Sequence, residues 1–209
     1  MRRINLVVTV ALLTFGNTAC GAVQQYERLA RALEPTPSAT TSPRFNPRQH
    51  ERIAILVEDH TGTGSGITRQ AEDEFMRAAM VKGYTIADRS NVNAMMQELR
   101  FQSSGATARD YEQVGNMLNV SAILIVSIDD LSTRREAAPT IQSLVSNDKP
   151  GQADFSYATV GGRLISVREA EVLWVGTLTG RQQVASGTAN AAALPYVSRI
   201  VAAAIPSRF

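Results

Sequence analysis

Residues Val120–Ile128 (VSAILIVSI) are apolar at all but two positions. The run is too short for a membrane-spanning helix, which needs about 20 apolar residues. It has the length of a strand that is covered on both faces. Such a strand sits inside a sheet with helices on either side, so the rest of the chain has to supply further strands and amphipathic helices. Arg52–Val57 (RIAILV) is a second dense apolar run and reads as a buried strand. Over 67–81, Ile67, Ala71, Phe75, Ala78 and Ala79 recur at helical spacing, while Arg69, Glu72, Asp73 and Arg77 fall on a side expected to face water. Lys82-Gly83 ends that helix, because Gly suits the left-handed cap. Tyr84–Ala87 reads as a strand. Ser90 caps a helix predicted to run to about Gln102, with Val92, Met95, Met96 and Leu99 inward. Thr107 and Asp110 give a capping-box-like start to a helix over 108–119, in which Tyr111, Val114 and Leu118 pack.

Beyond the central run, Asp129–Ala153 is polar, with two Pro and a Gly, and reads as a long loop or a protruding hairpin. Phe155–Val167 and Glu171–Thr179 are two strands close enough to form a hairpin. Trp174 is expected as a core or sheet-edge anchor. Arg181–Thr188 carries no clear signal. Pro195 suits the first turn of a closing helix, with Val197, Val201, Ala204 and Ile205 inward. The expected fold is α/β: a single domain with a mixed sheet of about five strands flanked by helices, in the order β-α-β-α-α-β-β-β-α.

The N-terminus reads as an address. Met1-Arg2-Arg3 is a positive start, Leu6–Phe15 (LVVTVALLTF) is an apolar stretch of secretory-signal length, and Gly16-Asn17-Thr18-Ala19-Cys20-Gly21 follows. The small residues before the single Cys resemble a bacterial lipobox, in which that Cys becomes the lipidated first residue. Asn17 departs from the usual aliphatic residue. Residues 1–19 are thus expected to be a lipoprotein signal peptide and Cys20 the acylation site. Gly21, rather than Asp, after the Cys implies the outer membrane, with the domain on its periplasmic face in a Gram-negative cell. An unpaired Cys in an oxidising compartment is a liability unless acylated. Residues 23–34 show helical spacing of Val23, Tyr26, Leu29, Ala30 and Leu33. Residues 35–49 (PTPSATTSPRFNPRQ) carry four Pro and many Ser and Thr and read as an extended linker. The expected division is therefore 1–19 signal, 20–50 lipidated N-terminus and linker, and 51–209 domain.

Composition excludes several functions. Apolar residues make up 44% of the chain, enough for a core and against global disorder. The formal net charge is +2, but Arg2 and Arg3 lie in the signal, and without them 19 basic residues face 19 acidic ones. A nucleic-acid partner, which calls for a basic face, is not expected. One Cys allows no intrachain disulfide and no Cys-based zinc site, and with only His50 and His60 besides, no metal is expected. The loop Gly62-Thr63-Gly64-Ser65-Gly66 after the first strand imitates a dinucleotide fold, with Asp88 near the end of the second strand. Its spacing is GxGxG rather than GxGxxG, and no Lys follows, so no nucleotide or other cofactor is expected and the loop reads as flexible. Ser65 lies outside a GxSxG elbow. His60 has no signalled partner and reads as a solvent-exposed loop residue, and His50, at the linker edge, is expected to be solvated. No catalytic residue is assigned, and the protein is not expected to be an enzyme.

Four segments, in order, resemble the CsgG family, which includes the curli-secretion lipoprotein and the LpoB-type activators of penicillin-binding proteins. They are Arg52–Leu56 with Thr61-Gly62; Gly83–Arg89 (GYTIADR) followed by Val92 and Leu99; Ala108–Ala122 with Gly115 and Leu118-Asn119-Val120; and Arg163–Val167 (RLISV) through Glu171–Trp174 (EVLW). Arg168-Glu169-Ala170 stands where the family has Thr-Gly, which implies a different turn type. The resemblance implies a tethered, non-enzymatic protein-binding module in cell-envelope assembly. Its partner would be an envelope protein, either a penicillin-binding protein or a secretion component, and a homo-oligomer is possible. The alternative within the family, a curli-type secretion channel built as an oligomeric ring, needs two membrane hairpins per subunit. The segment 129–157 alternates poorly and is interrupted by charge, and 176–194 is rich in Ala, Gly and Thr and has no apolar band. Contact residues are expected on exposed loops: Thr61, Gly62, Thr63 and Ser65, the turn at Ser103 and Ser104, and the polar stretch from Asp129.

Overall fold

The computed structural model describes residues 35–88, 90, 113, 115–138, 151–187 and 190–209, the Ser65 side chain excepted. The chain divides after Pro35, and Thr36–Phe209 is one unit. Its elements are β1 (Ser38–Thr41), β2 (Arg52–Asp59), α1 (Ser65–Val81), β3 (Thr85–Ile86), β4 (Ala122–Ala138), β5 (Gly151–Ser166), β6 (Val172–Val184) and α2 (Leu194–Ala203), with a short 3-10 turn at Pro47–Gln49. They form one six-stranded sheet in the order β1-β6-β5-β4-β2-β3. β2 pairs in parallel with both β3 and β4, and the other neighbours are antiparallel. The mixed α/β fold is as expected.

The apolar run that opens β4 lies where two cores meet. Ala122, Leu124, Val126 and Ile128 point to the face covered by α1 and α2, where they join Ile53, Ile55, Phe75, Val160, Leu164, Val197 and Val201. Ile123 and Ile125 point the other way and pack with Ala54, Leu56, Leu118, Val120 and Val167. Burial on both faces is why the run does not alternate. Trp174 is 1% exposed and lies against two glycines. A Cβ on Gly162 would stand 2.9 Å from its ring and one on Gly176 2.4 Å. These glycines are opposite each other on β5 and β6, and their missing side chains make the room for the indole. Burying a side chain of this size stabilises the fold by about 1.5–3 kcal/mol or more.

α1 buries Ala71, Phe75 and Ala79 as their spacing predicts. It ends at Gly83, whose φ is +90°. Glu72 departs from expectation: it is buried rather than on the water-facing side. α2 begins with Pro in its first turn and buries Leu194, Val197, Ser198, Val201 and Ala202. The helices predicted over 90–102 and 108–119 lie outside the described residues apart from 90, 113 and 115–117, which are helical, and 118–119, which form a turn.

Two stretches are more structured than their composition suggests. The polar stretch after Ile128 continues β4 to Ala138 and pairs it antiparallel with β5 as far as Ala138↔Gly151, so 129–138 is strand rather than loop, and 139–150 lie outside the described residues. The stretch 35–49 is extended but folded onto the domain. Ser38–Thr41 adds an edge strand to β6, with Thr41 opposite Trp174. Phe45 packs against the main core, Arg44 pairs with Glu171, and the Arg208 guanidinium donates to the Pro47 carbonyl. His50 is buried, contrary to the solvated position expected. This strap is the sixth strand, and it moves the start of the folded unit from Glu51 to Thr36. Pro content misleads here because proline is tolerated at sheet edges, where one side of the strand needs no donors.

Candidate functional site

Parallel α/β sheets present their ligand and partner loops at the carboxyl ends of the strands. Here that end is formed by Asp59 on β2 and Ile128 on β4, which are register partners, and the Gly-rich loop leads from β2 into α1. The loop is held by one carboxylate. Asp59 Oδ1 accepts the Thr61 amide (2.8 Å) and the Thr61 hydroxyl (2.6 Å). Its Oδ2 accepts the Gly64 amide (3.1 Å) and the Thr63 hydroxyl (3.4 Å). This Asx-type cap substitutes for backbone pairing that the loop cannot make. Gly62 and Gly64 supply the left-handed φ values of +72° and +100° that the path requires. The loop read as flexible is therefore pinned at four points. Burial pushes the Asp59 carboxyl up, but the Thr61, Gly64 and Thr63 donors outweigh it and hold the group below its usual 3.8.

The loop also gains a contact that the sequence did not signal. The His60 amide donates to the Ile128 carbonyl (3.0 Å), which extends the β2–β4 ladder by one residue. His60 Nδ1 then lies 2.9 Å from Asp129 Oδ1, and Nε2 lies 3.9 Å from Glu58. Asp129 reaches this position because it is the extra residue of a β-bulge between Ile128 and Asp130. Ser127 Oγ donates to the other Asp129 oxygen (3.2 Å). Gly161, on β5 opposite Ser127, leaves that hydroxyl its space, since a Cβ there would fall 2.6 Å from it. The His-Asp-Ser set is not a nucleophilic triad. The hydroxyl is bonded to the carboxylate, and among the described residues none is placed on His60 Nε2. Nor do the described residues contain a group of three His, Cys, Asp or Glu side chains that could hold a metal.

Thr61, Gly62 and Thr63 thus stand together on an ordered loop; Thr63 and Gly62 are exposed and Thr61 is half-buried. Ser65 is the first residue of α1, and its side chain, like Ser103, Ser104 and Cys20, lies outside the described residues. Charged and aromatic side chains line the hairpin beside this end. Arg135 makes a two-point pair with Asp154 (2.8 and 3.2 Å). Glu136 accepts from both Tyr157 and Arg181. The Arg134 guanidinium lies 5.0 Å above the Tyr157 ring and that of Arg181 4.8 Å above Phe155. The chemistry available here is recognition: hydroxyls, backbone groups and guanidinium-aromatic stacks on a rigid sheet.

No protein-family model matches the chain, and no curated protein does. Solved structures to which it is similar include a PelC dodecamer from Paraburkholderia phytofirmans, at 13% identity over 83% of this chain and 99% of that one, with a TM-score of 0.47. Lipoprotein GNA1162 from Neisseria meningitidis aligns at 17% identity over 70% and 90% of the two chains, with a TM-score of 0.42. The C-terminal domain of LpoB from Salmonella enterica aligns at 11% identity over 64% and 84%, with a TM-score of 0.40.

Proposed function

We propose that this chain is a non-enzymatic protein-binding module of the bacterial envelope. It is anchored by acylated Cys20 to the periplasmic face of the outer membrane and acts as an LpoB-type activator of a peptidoglycan synthase. The observation that carries the proposal is the loop Thr61–Gly64: ordered by Asp59, turned outward, and, among the described residues, without an activated nucleophile beside it. The lipobox-like start supports the location. The four CsgG-like segments support the class; the first, second and fourth coincide with β2, with β3 and with the β5–β6 turn, and the third leads into β4. Because the strap is part of the fold, the reach of the tether comes from the chain between Cys20 and Ser38. Eighteen residues span no more than about 60 Å.

The secretion-ring alternative is disfavoured by the hairpin. Its described arms carry Arg134, Arg135, Glu136 and Asp154 in ion pairs, where a membrane strand needs an uninterrupted apolar band facing lipid. A photo-crosslinking residue at Thr63 in the intact, lipidated protein tests the proposal. A penicillin-binding protein should be captured in cells, and the capture should be lost when Asp59 is replaced by Ala. Capture of another copy of this chain in a detergent-stable ring would overturn it, as would a Cys20 that carries no lipid.

A further inference from the structure

The strap holds to the domain in two parts of different strength. In the first, Ser38–Thr41 pairs with β6 through backbone hydrogen bonds along one side. All four residues are exposed, so no side chain of β1 is buried. The Ser42 amide donates to the Leu173 carbonyl (2.8 Å), and antiparallel alternation then turns Thr40 toward β6 and Ala39 and Thr41 outward. Arg44 pairs with Glu171, but the two side chains are 77% and 39% exposed, and such pairs contribute little. From Phe45 onward the hold is of another kind. Phe45 packs against the main core. His50 is buried and stacks on it with ring centroids 6.0 Å apart, and the Arg208 guanidinium donates to the Pro47 carbonyl (3.3 Å). A turn separates the two parts: the Phe45 amide donates to the Ser42 carbonyl (3.0 Å), with Pro43 at the second position.

This division lies where a load would arrive. In a chain anchored at Cys20, β1 is the first strand that a pull from the membrane reaches. A short strand that is exposed throughout and paired on one side belongs to the low-stability end of a fold, where segments open without the rest. Opening β1 exchanges backbone hydrogen bonds for bonds to water and takes none of its side chains out of the core. The opening stops at Phe45, because the next step would draw an aromatic ring out of the core. Up to that point the tether lengthens. It runs over eighteen residues from Cys20 to Ser38 and over twenty-five from Cys20 to Phe45, which raises its greatest span from about 60 Å to about 85 Å.

We propose that β1 is a reserve of tether: it pairs with β6 at rest and is drawn off, as far as Phe45, when the partner lies beyond the reach of the closed form. The use of this reserve rests on the anchored, partner-binding role proposed above; the separate opening of β1 does not. Amide hydrogen exchange on the intact protein, followed by NMR, tests the opening. The Thr40 and Ser42 amides, which face β6, should exchange at least about 100-fold faster than those of β4 and β5, at a rate that urea below the unfolding transition leaves unchanged, while the His50 amide follows the domain. Exchange of Thr40 and Ser42 in step with β5, or of His50 in step with Thr40, would overturn the proposal. In cells, removal of residues 24–30 takes seven residues from the tether, the number that release of β1 returns. Capture of the partner by the crosslinker at Thr63 should survive this removal. It should fall at least about fivefold when T40C and V175C also tie β1 to β6, because the tether then cannot span the gap. These two positions are exposed and face each other, as a hydrogen-bonded pair whose Cα separation of about 5.5 Å suits a disulfide. The same tie in the unshortened chain should leave capture in place. Equal capture by the tied and untied shortened chains, at whatever level, would overturn the reserve. No capture by the unshortened parent would refute the partner role instead, and the exchange rates then decide the strap alone.

Discussion

Ala170 takes a left-handed backbone conformation, with φ of +51°, in the turn that the Ser166 amide closes onto the Glu171 carbonyl (2.9 Å). A residue with a Cβ adopts this region at a cost of about 1–2 kcal/mol, and glycine does not. The turn thus places a Cβ-bearing residue in a backbone region that glycine enters without strain. Ala170→Gly should raise stability by about 0.5–1 kcal/mol, the relief being partly offset by the greater freedom of Gly in the unfolded chain. A higher urea midpoint at unchanged slope would register it. Asp59 gives the second prediction at this scale. Because its folded pKa is depressed, the carboxylate stabilises the fold in full above the usual 3.8, and that stabilisation is lost as the pH falls through the lower folded value. Asp59→Asn should lower stability at pH 7 by about 1–2 kcal/mol. The difference between variant and parent should shrink as the pH drops below 3.8, as followed by urea unfolding over a pH series. The residue types of the loop were legible in the chain, but its order was not. Thr61, Thr63 and Gly64 look like flexible filler until the carboxylate they share is seen, and His60 acquires Asp129 only because a bulge turns that side chain outward.

Among the elements, the strap is the one whose sequence and structure part company. Its residues are Pro, Ser and Thr, and no apolar periodicity marks Ser38–Thr41 as a strand. The backbone pairs because β6 offers an edge beside Trp174, and pairing requires no particular side chain. Arg208 fastens the strap from the far end of the chain. Its side chain donates to the Gly83 carbonyl (2.8 Å) and the Pro47 carbonyl (3.3 Å) and lies 3.8 Å from Glu51, while its amide donates to the Lys82 carbonyl (3.0 Å). Arg208→Ala should therefore cost about 1–2 kcal/mol and speed amide hydrogen exchange at 47–51, measured by mass spectrometry. Unchanged exchange would mean that the strap holds without this clasp. The two helices described in full and the buried strands, by contrast, follow their patterns apart from Glu72. α1 needs its Ala71, Phe75 and Ala79 stripe to cover the sheet, and β2 and the start of β4 need apolar residues on both faces.

On the scale of the whole molecule, the folded unit begins at Thr36, and protease sensitivity should follow that boundary. Arg44 and Arg48 are both exposed, and trypsin would cut after either one in a free linker. In the folded strap such cleavage first needs local opening. Limited trypsin digestion should therefore leave the chain intact across 38–50 under native conditions and cut there once the domain is unfolded. Early cleavage after Arg44 would return the segment to a linker and remove the sixth strand.

The chain by itself determined the class of fold. Nine largely apolar residues at Val120–Ile128 can be covered only inside a sheet, and the helical stripes before and after them supply the cover, as burial of apolar surface requires wherever the pattern repeats. Tertiary structure decided the rest: the edge strand from the strap, the length of the β4–β5 hairpin, the burial of His50 and the meeting of His60 with Asp129. Each of these depends on a partner remote in sequence and on backbone groups, which every residue carries alike, so no local choice of side chains could announce them.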